Sequence, residues 1–297
     1  MKTIRYLLTA IMLIIIVPFY SQSPGKNQKV ITLHSVTKNT SKSLLSESKE
    51  ILLRRLTYMN PGNTTITQND TKSELVITVR DTLNSETLLD LLLIQGHLTF
   101  YETMNRQEVL KNFAKQSSGC IREASKSLHL RDSIHSGSEC ILGYSEAKDT
   151  ISINSCLTSN EVRILLPKQL RLLWTIFPGD DKLYNLYCLS SSDRTFNEKD
   201  INEAHADFTN PEFPTLSITF NEKVWNLWKD LTIKNMNKSV ALVIDDKVYS
   251  APRILGEIPR GKISLTGGGF SKTEVRKLVA IISSGILPLK FTVVSNN

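Results

Sequence analysis

Along most of this chain, stretches in which apolar and polar positions alternate are separated by stretches with helical spacing. Residues 30–36 read as a strand with Ile31 and Leu33 on one face. Residues 43–59 hold Leu45, Leu52, Leu56 and Met59 on one helical stripe, which Asn60-Pro61-Gly62-Asn63 ends. A short strand is expected at 64–68. A clearer one follows at 74–80, where Leu75, Ile77 and Val79 alternate with Val76, Thr78 and Arg80. A second helix over 85–95 stops at Gly96, and the next strand covers 97–102. The order is βαββαβ, a ferredoxin-like split unit.

The pattern weakens over 103–200. Residues 107–124 are polar and partly helical in expectation, and 125–159 read as irregular, with short strands near Cys140 and Ile151. Residues 170–176 are apolar, and 184–190 form a strand carrying Cys188. Periodicity returns with a helical turn at 198–204 and an alternating strand at 216–220. Asn221 can cap a helix whose Val224, Leu227, Trp228 and Leu231 fall at i, i+3, i+4 and i+7, the spacing of a core stripe. Next comes ALVIDDKVYSAP, in which two β-branched runs flank Asp245-Asp246 as a hairpin. After a strand at 262–266 and a Gly267-Gly268-Gly269 turn, Ser271 and Glu274 are spaced as a capping box. The helix they open presents Val275, Leu278, Val279 and Ile282. Gly285 stops it, and residues 289–294 form the last strand.

Residues 1–23 change where this fold would work. Lys2 and Arg5 precede an apolar stretch over 6–17, then Pro18 and small polar residues, the order of a secretory signal peptide. The apolar stretch is short for a membrane span. The expected chain is therefore periplasmic or exported and soluble after cleavage, and the alternative is an uncleaved anchor. The formal charge is +7, and without Lys2 and Arg5 it is +5. These charges are scattered, as on a soluble basic surface, with no nucleic-acid tail. The 40% hydrophobic and 22% charged composition is that of an ordinary globular protein, long enough for one large domain or two smaller ones, and the order of elements makes the expected class α+β.

Candidate chemistry is sparse. Cys120, Cys140, Cys156 and Cys188 make an even count that suits disulfides in an exported protein, with three pairings open. They contain no C-x-x-C pair, and His129 and His135 lack ligand spacing, so no metal is expected. The glycine turn before Ser271 lacks the Gly-Lys-Ser/Thr of a phosphate loop, so no nucleotide or other cofactor is expected. A βαββαβ unit can bind RNA, but strand 74–80 has no aromatic for base stacking, which argues against nucleic acid. Asp245, Asp246 and Lys247 at the hairpin tip read as a turn with local charge compensation rather than as chemistry.

The segment 216–289 resembles the first periplasmic domain of SecD, a membrane subunit of the bacterial protein-export machinery. The resemblance runs through SITFNEKVWNLW, ALVIDDKVYSAP and ISLTGGGFSKTEVRKLVAIISSGILPL. ILLRRLTYMNPGNTTITQNDTKSELVITV is similar to that family's early helix and the strand after it. The resemblance implies a ferredoxin-like base, 27–114, completed by 287–297. It also implies an inserted α+β head, 115–286, that holds the hairpin. The head has a cysteine-containing part at 115–195 and a SecD-like part at 196–286. In the family the head is proposed to contact polypeptide emerging from the translocon and to move relative to the base. SecD itself has membrane spans and works with SecF on the proton gradient. The cysteines are not part of the family pattern, and the chain reads as a stand-alone exported protein without those spans. The function implied is non-enzymatic binding of unfolded or translocating polypeptide. Its partners would be that polypeptide and a Sec membrane complex, with membrane contact only through a partner or an uncleaved signal. The alternatives are a structural partner docked on the Sec complex and an envelope hydrolase hidden in the middle segment.

Overall fold

The computed structural model describes residues 28–59, 64–80, 83–113, 119–130, 139–179, 181–191, 195–267 and 269–296. The expected signal peptide, the 60–63 turn, His135 and Gly268 lie outside these residues.

The first unit is built from β1 (Gln28–Ser35), α1 (Lys42–Met59), β2 (Thr64–Asn69), β3 (Glu74–Arg80) and α2 (Ser85–Leu93). The next strand, β4 (Leu98–Thr103), leaves this sheet, and its place is taken by the last strand of the chain. The sheet order is β15–β1–β3–β2, all antiparallel, with β15 spanning Phe291–Asn296. This is the strand order of a split βαβ unit, with its fourth strand brought from the far end of the sequence. It corrects the expectation that 97–102 completes the unit. The physical reason is burial. Leu98 and Phe100 of β4 face one core and Tyr101 another, and a strand apolar on both faces belongs inside a molecule rather than at a solvated sheet edge. Ile31, Leu33, Leu75, Ile77 and Val79 pack under Leu45, Leu52, Leu56 and Leu88 to form the core of this unit.

The middle segment is more regular than its composition suggests. It comprises α3 (Arg106–Phe113), α4 (Cys120–Ser127), β5 (His129–Leu130), β6 (Ile141–Ser145), α5 (Thr150–Leu157), α6 (Asn160–Arg163), β7 (Leu170–Trp174) and β8 (Tyr184–Ser190). The expected strand at Ile151 is instead part of α5, whose buried side is Ile153, Cys156 and Leu157. The rest is β9 (Phe196–Asn197), β10 (Ile201–Asp207), β11 (Thr215–Phe220), α7 (Trp225–Lys234), β12 (Val240–Ile244), β13 (Lys247–Ser250), β14 (Lys262–Leu265) and α8 (Lys272–Ser284). The helical turn expected at 198–204 is one 3-10 turn, Glu198–Asp200, and then β10, an edge strand paired only with β11 in the sheet β10–β11–β14. Leu227, expected in the core stripe of α7, is 36% exposed, whereas Val224, Trp228 and Leu231 are buried.

The large sheet runs β13–β12–β4–β8–β6–β5, and β7 pairs with the other edge of β8. Beyond β7, Thr175 forms a parallel bridge to Val248 of β13, so β4, β8, β7, β13 and β12 close into a ring. Tyr101, Leu189, Ala241, Val243 and Val248 fill it. The alternate residues of the same strands point outward. Val240, Leu242 and Ile244 enter a core with Phe100, Phe196, Phe220 and Trp228, while Leu186 and Cys188 enter a third core with Trp174. All five residues of β12 are therefore buried.

Candidate functional site

At the hairpin tip Asp245 and Asp246 have φ of 47° and 60°, the left-handed pair of a two-residue turn. The turn expected for them is present, and Asp245 has a further role that the sequence did not show. The Asp245 carboxylate reaches across to the segment that joins α2 to β4. There it accepts hydrogen bonds from the backbone N–H of Gln95 (2.7 Å), Gly96 (3.1 Å) and His97 (2.9 Å). The Asp245 N–H in turn donates to the His97 carbonyl at 3.1 Å.

The carbonyls of that segment are held by Arg55 of α1, which is fully buried. Its Nη1 donates to the carbonyls of Leu91 (3.0 Å) and Ile94, and Nη2 donates to those of Gln95 (2.8 Å) and Gly285 (3.3 Å). Nε donates to Ser284 Oγ at 3.1 Å. One short peptide segment thus has a guanidinium on its carbonyl side and a carboxylate on its amide side. Burial lowers the Arg55 pKa to about 10, and the Asp245 charge opposes that shift. Gly96 sits between them at φ 95°, where a Cβ would come 3.0 Å from Ile281 Cγ2 and 3.1 Å from Arg55 Nη2.

Asp246 points outward and pairs with Arg171 at 2.8 Å, and Arg171 also lies 5.6 Å over the Tyr101 ring. Charge compensation comes from Arg171 rather than from the expected Lys247, which is exposed. These residues border a cleft of about 680 Å³ between the hairpin and the first unit, lined also by Asp90, Leu93, Ile176 and Lys290. Near it Lys277 of α8 lies buried and pairs with Asp90 and Glu274, both at 2.8 Å. Ser271 accepts from the Glu274 N–H, but the Glu274 carboxylate goes to Lys277 rather than back to the cap, so the expected box is only half formed. Burial raises the Glu274 pKa against the pull of Lys277, and its Oε1 has no partner among the described residues. For Lys277, burial lowers the pKa, but the bonds to Asp90 and Glu274 outweigh it and the net shift is upward.

Of the four cysteines, Cys120 and Cys156 form a disulfide that ties α4 to α5. Cys140, in the turn just before β6, and Cys188 of β8 are buried thiols, and the Cys188 N–H donates to the Cys140 carbonyl at 2.7 Å. Burial pushes the Cys140 thiol up to about 11 and Cys188 further, so both stay protonated near neutrality. No group of three or more His, Cys, Asp or Glu among the described residues is placed to hold a metal. Sequence reasoning missed Arg55, Asp90 and Lys277, and read Glu274 only as part of a cap. A signal was present, since Arg55 and Lys277 are cations within otherwise apolar helical stripes, next to Leu56 and Leu278.

Fold and site together define an α+β protein in which a hairpin-bearing sheet is clamped onto a split βαβ unit through one buried peptide segment. Residues 176–289, which include the hairpin, match the family model described as the P1 head subdomain of SecDF. Over these residues the chain is similar to the periplasmic domain of SecD. It is 34% identical over 157 residues to the protein translocase subunit SecD of Rhodothermus marinus, covering 51% of this chain and 25% of that one. It is 34% identical over 98 residues to SecD of Acidaminococcus fermentans, covering 33% of this chain and 23% of that protein. The matched stretches thus span about a quarter of these relatives. The crystal structure of SecDF in its super-membrane-facing form has a TM-score of 0.50 at 20% identity, covering 94% of this chain and 32% of that one, a likeness of fold.

Proposed function

We propose that this protein takes part in protein export as a non-enzymatic, SecD-like component that binds unfolded or translocating polypeptide on the outer side of the membrane. The match of residues 176–289 to the SecDF P1 head is the observation that carries this reading. In it, β1 to α2 with β15 form the base, and the inserted elements form the head. The clamp of Arg55 and Asp245 on residues 94–97 lies where the chain crosses between them. The cleft beside that crossing has apolar walls and scattered charges of both signs, which suits varied polypeptide better than one small substrate. No described helix is long and apolar enough to cross a membrane.

Titration of the purified chain with a reduced, alkylated and permanently unfolded globular protein, followed by calorimetry, tests the proposal. A dissociation constant of roughly micromolar order, about 8 kcal/mol, is expected. No binding at high concentration, together with capture of a Sec membrane complex by the folded chain, would replace this reading with the docking one.

A further inference from the structure

The ring of β4, β8, β7, β13 and β12 is incompletely zipped. Between β7 and β13 it closes through the Thr175–Val248 bridge, where the Ile176 N–H donates to the Val248 carbonyl at 2.9 Å. Beyond that point the two sides part. Residues 177–179 turn away, with the Gly179 N–H donating to the Leu183 carbonyl at 2.8 Å. Among the described residues, no backbone hydrogen bond crosses from residues 249–251 to residues 177–179. The gap is a slot of about 530 Å³, walled on one side by residues 248–252 and on the other by Thr175, residues 177–179, Asn185 and Tyr187.

Three features specify what fits there. First, the slot continues an existing strand-to-strand contact, and among the described residues its wall at 249–251, paired with β12 on its other side, makes no backbone hydrogen bond across to residues 177–179. Second, none of its lining residues is charged, in a chain where 22% of residues are. A charged side chain entering it would lose water and gain no counter-ion. Third, its size matches a strand. At a rise of about 3.3 Å, a strand spacing of about 4.8 Å and a layer depth of about 10 Å, each residue of added strand takes about 160 Å³. The slot therefore holds about three. Phe177 and Tyr249, edge to face at 6.1 Å, supply apolar wall for its side chains.

We infer that this slot is a β-augmentation site, taking about three uncharged residues of an extended polypeptide as an added strand beside residues 249–251. The inference rests on the polypeptide-binding reading above and names the part of the molecule that does the binding. Main-chain pairing explains how one site accepts many sequences, and the uncharged lining explains which stretches it refuses.

Fluorescence anisotropy on the full chain tests it with a labelled nine-residue peptide centred on Val-Thr-Val. A second peptide carries N-methyl groups on its central amides, and a third carries lysine at its centre. Binding of the first is expected, weakened at least tenfold by either change. Thr266→Arg, which alters an exposed residue at the slot's end, should weaken it by a similar factor without moving the unfolding midpoint. Equal binding of all three peptides, indifference to Thr266→Arg, or binding of unfolded protein but of no peptide would each overturn the slot and leave polypeptide binding standing. If neither peptide nor unfolded protein binds, both readings fall together.

Discussion

Asp245 and Asp246 are neighbours with the same side chain and similar backbone angles, yet they carry unequal weight. Asp245 accepts bonds from three consecutive residues of one segment, and Asp246 makes an ion pair in which its own side chain is 71% exposed. Asp245→Asn removes the charge and turns an amide donor toward donors, which should cost about 1.5–3 kcal/mol. Asp246→Asn should cost less than about 1 kcal/mol, as exposed pairs do. Urea unfolding of the two variants checks this, and equal losses would contradict the clamp. Glu274 makes a pH prediction. A carboxyl whose folded pKa is raised keeps its proton in the fold where the unfolded chain has released it. Its contribution to stability is therefore lost as pH rises from the ordinary carboxylate value toward the folded one. Glu274→Gln should flatten the stability curve in the window just above pH 4.5. Unfolding midpoints across that window, for both proteins, provide the measurement.

At the scale of elements, strands are assigned by what their two faces meet. β12 reads in sequence as one arm of a hairpin, and it is one, but Ala241 and Val243 fill the ring while Val240, Leu242 and Ile244 serve the neighbouring core. β8 divides its residues in the same way between the ring and the third core. The helices of the middle segment have less apolar surface, and α4 has no buried residue at all. Its Cys120, Ile121 and Ala124 are only half-buried against the third core, and the Cys120–Cys156 bond reinforces that contact, closing a loop with a sequence separation of 36. Replacing both cysteines with serine should cost about 3–4 kcal/mol by loop entropy. The loss should show as faster hydrogen exchange in α4 and α5 before any change in β1 or β3.

At the scale of the molecule, the two ends of the chain are one sheet. β15 pairs with β1 from Ile31–Asn296 to Ser35–Phe291, and Phe291 sits in the core of the first unit. A variant truncated after Pro288 leaves β1 as an edge and opens that core. Native-state hydrogen exchange should then rise along β1 while β12 keeps its protection. Unchanged protection in β1 would mean that β15 contributes little to the fold.

Local patterning by itself determined most elements of this protein. Spacing at 2 or 3.6 residues marks β1, α1, β3, α2, β11, α7 and α8, because each has one face that must leave water whatever lies opposite. The hairpin turn was also legible, since only residues tolerant of positive φ make such a tip. The SecD likeness was legible in the same ordered motifs. Tertiary structure alone decided which sheet β4 joins, how Ile201–Asp207 finds a partner in β11, and that α5 replaces a strand. It also decided the site. Asp245 is 150 residues from Gln95, and Arg55 is 229 from Ser284, so no window of sequence contains either contact. A strand or helix is chosen by the solvent preference of its own side chains. A buried charge is placed by partners that only the closed fold brings within hydrogen-bonding distance.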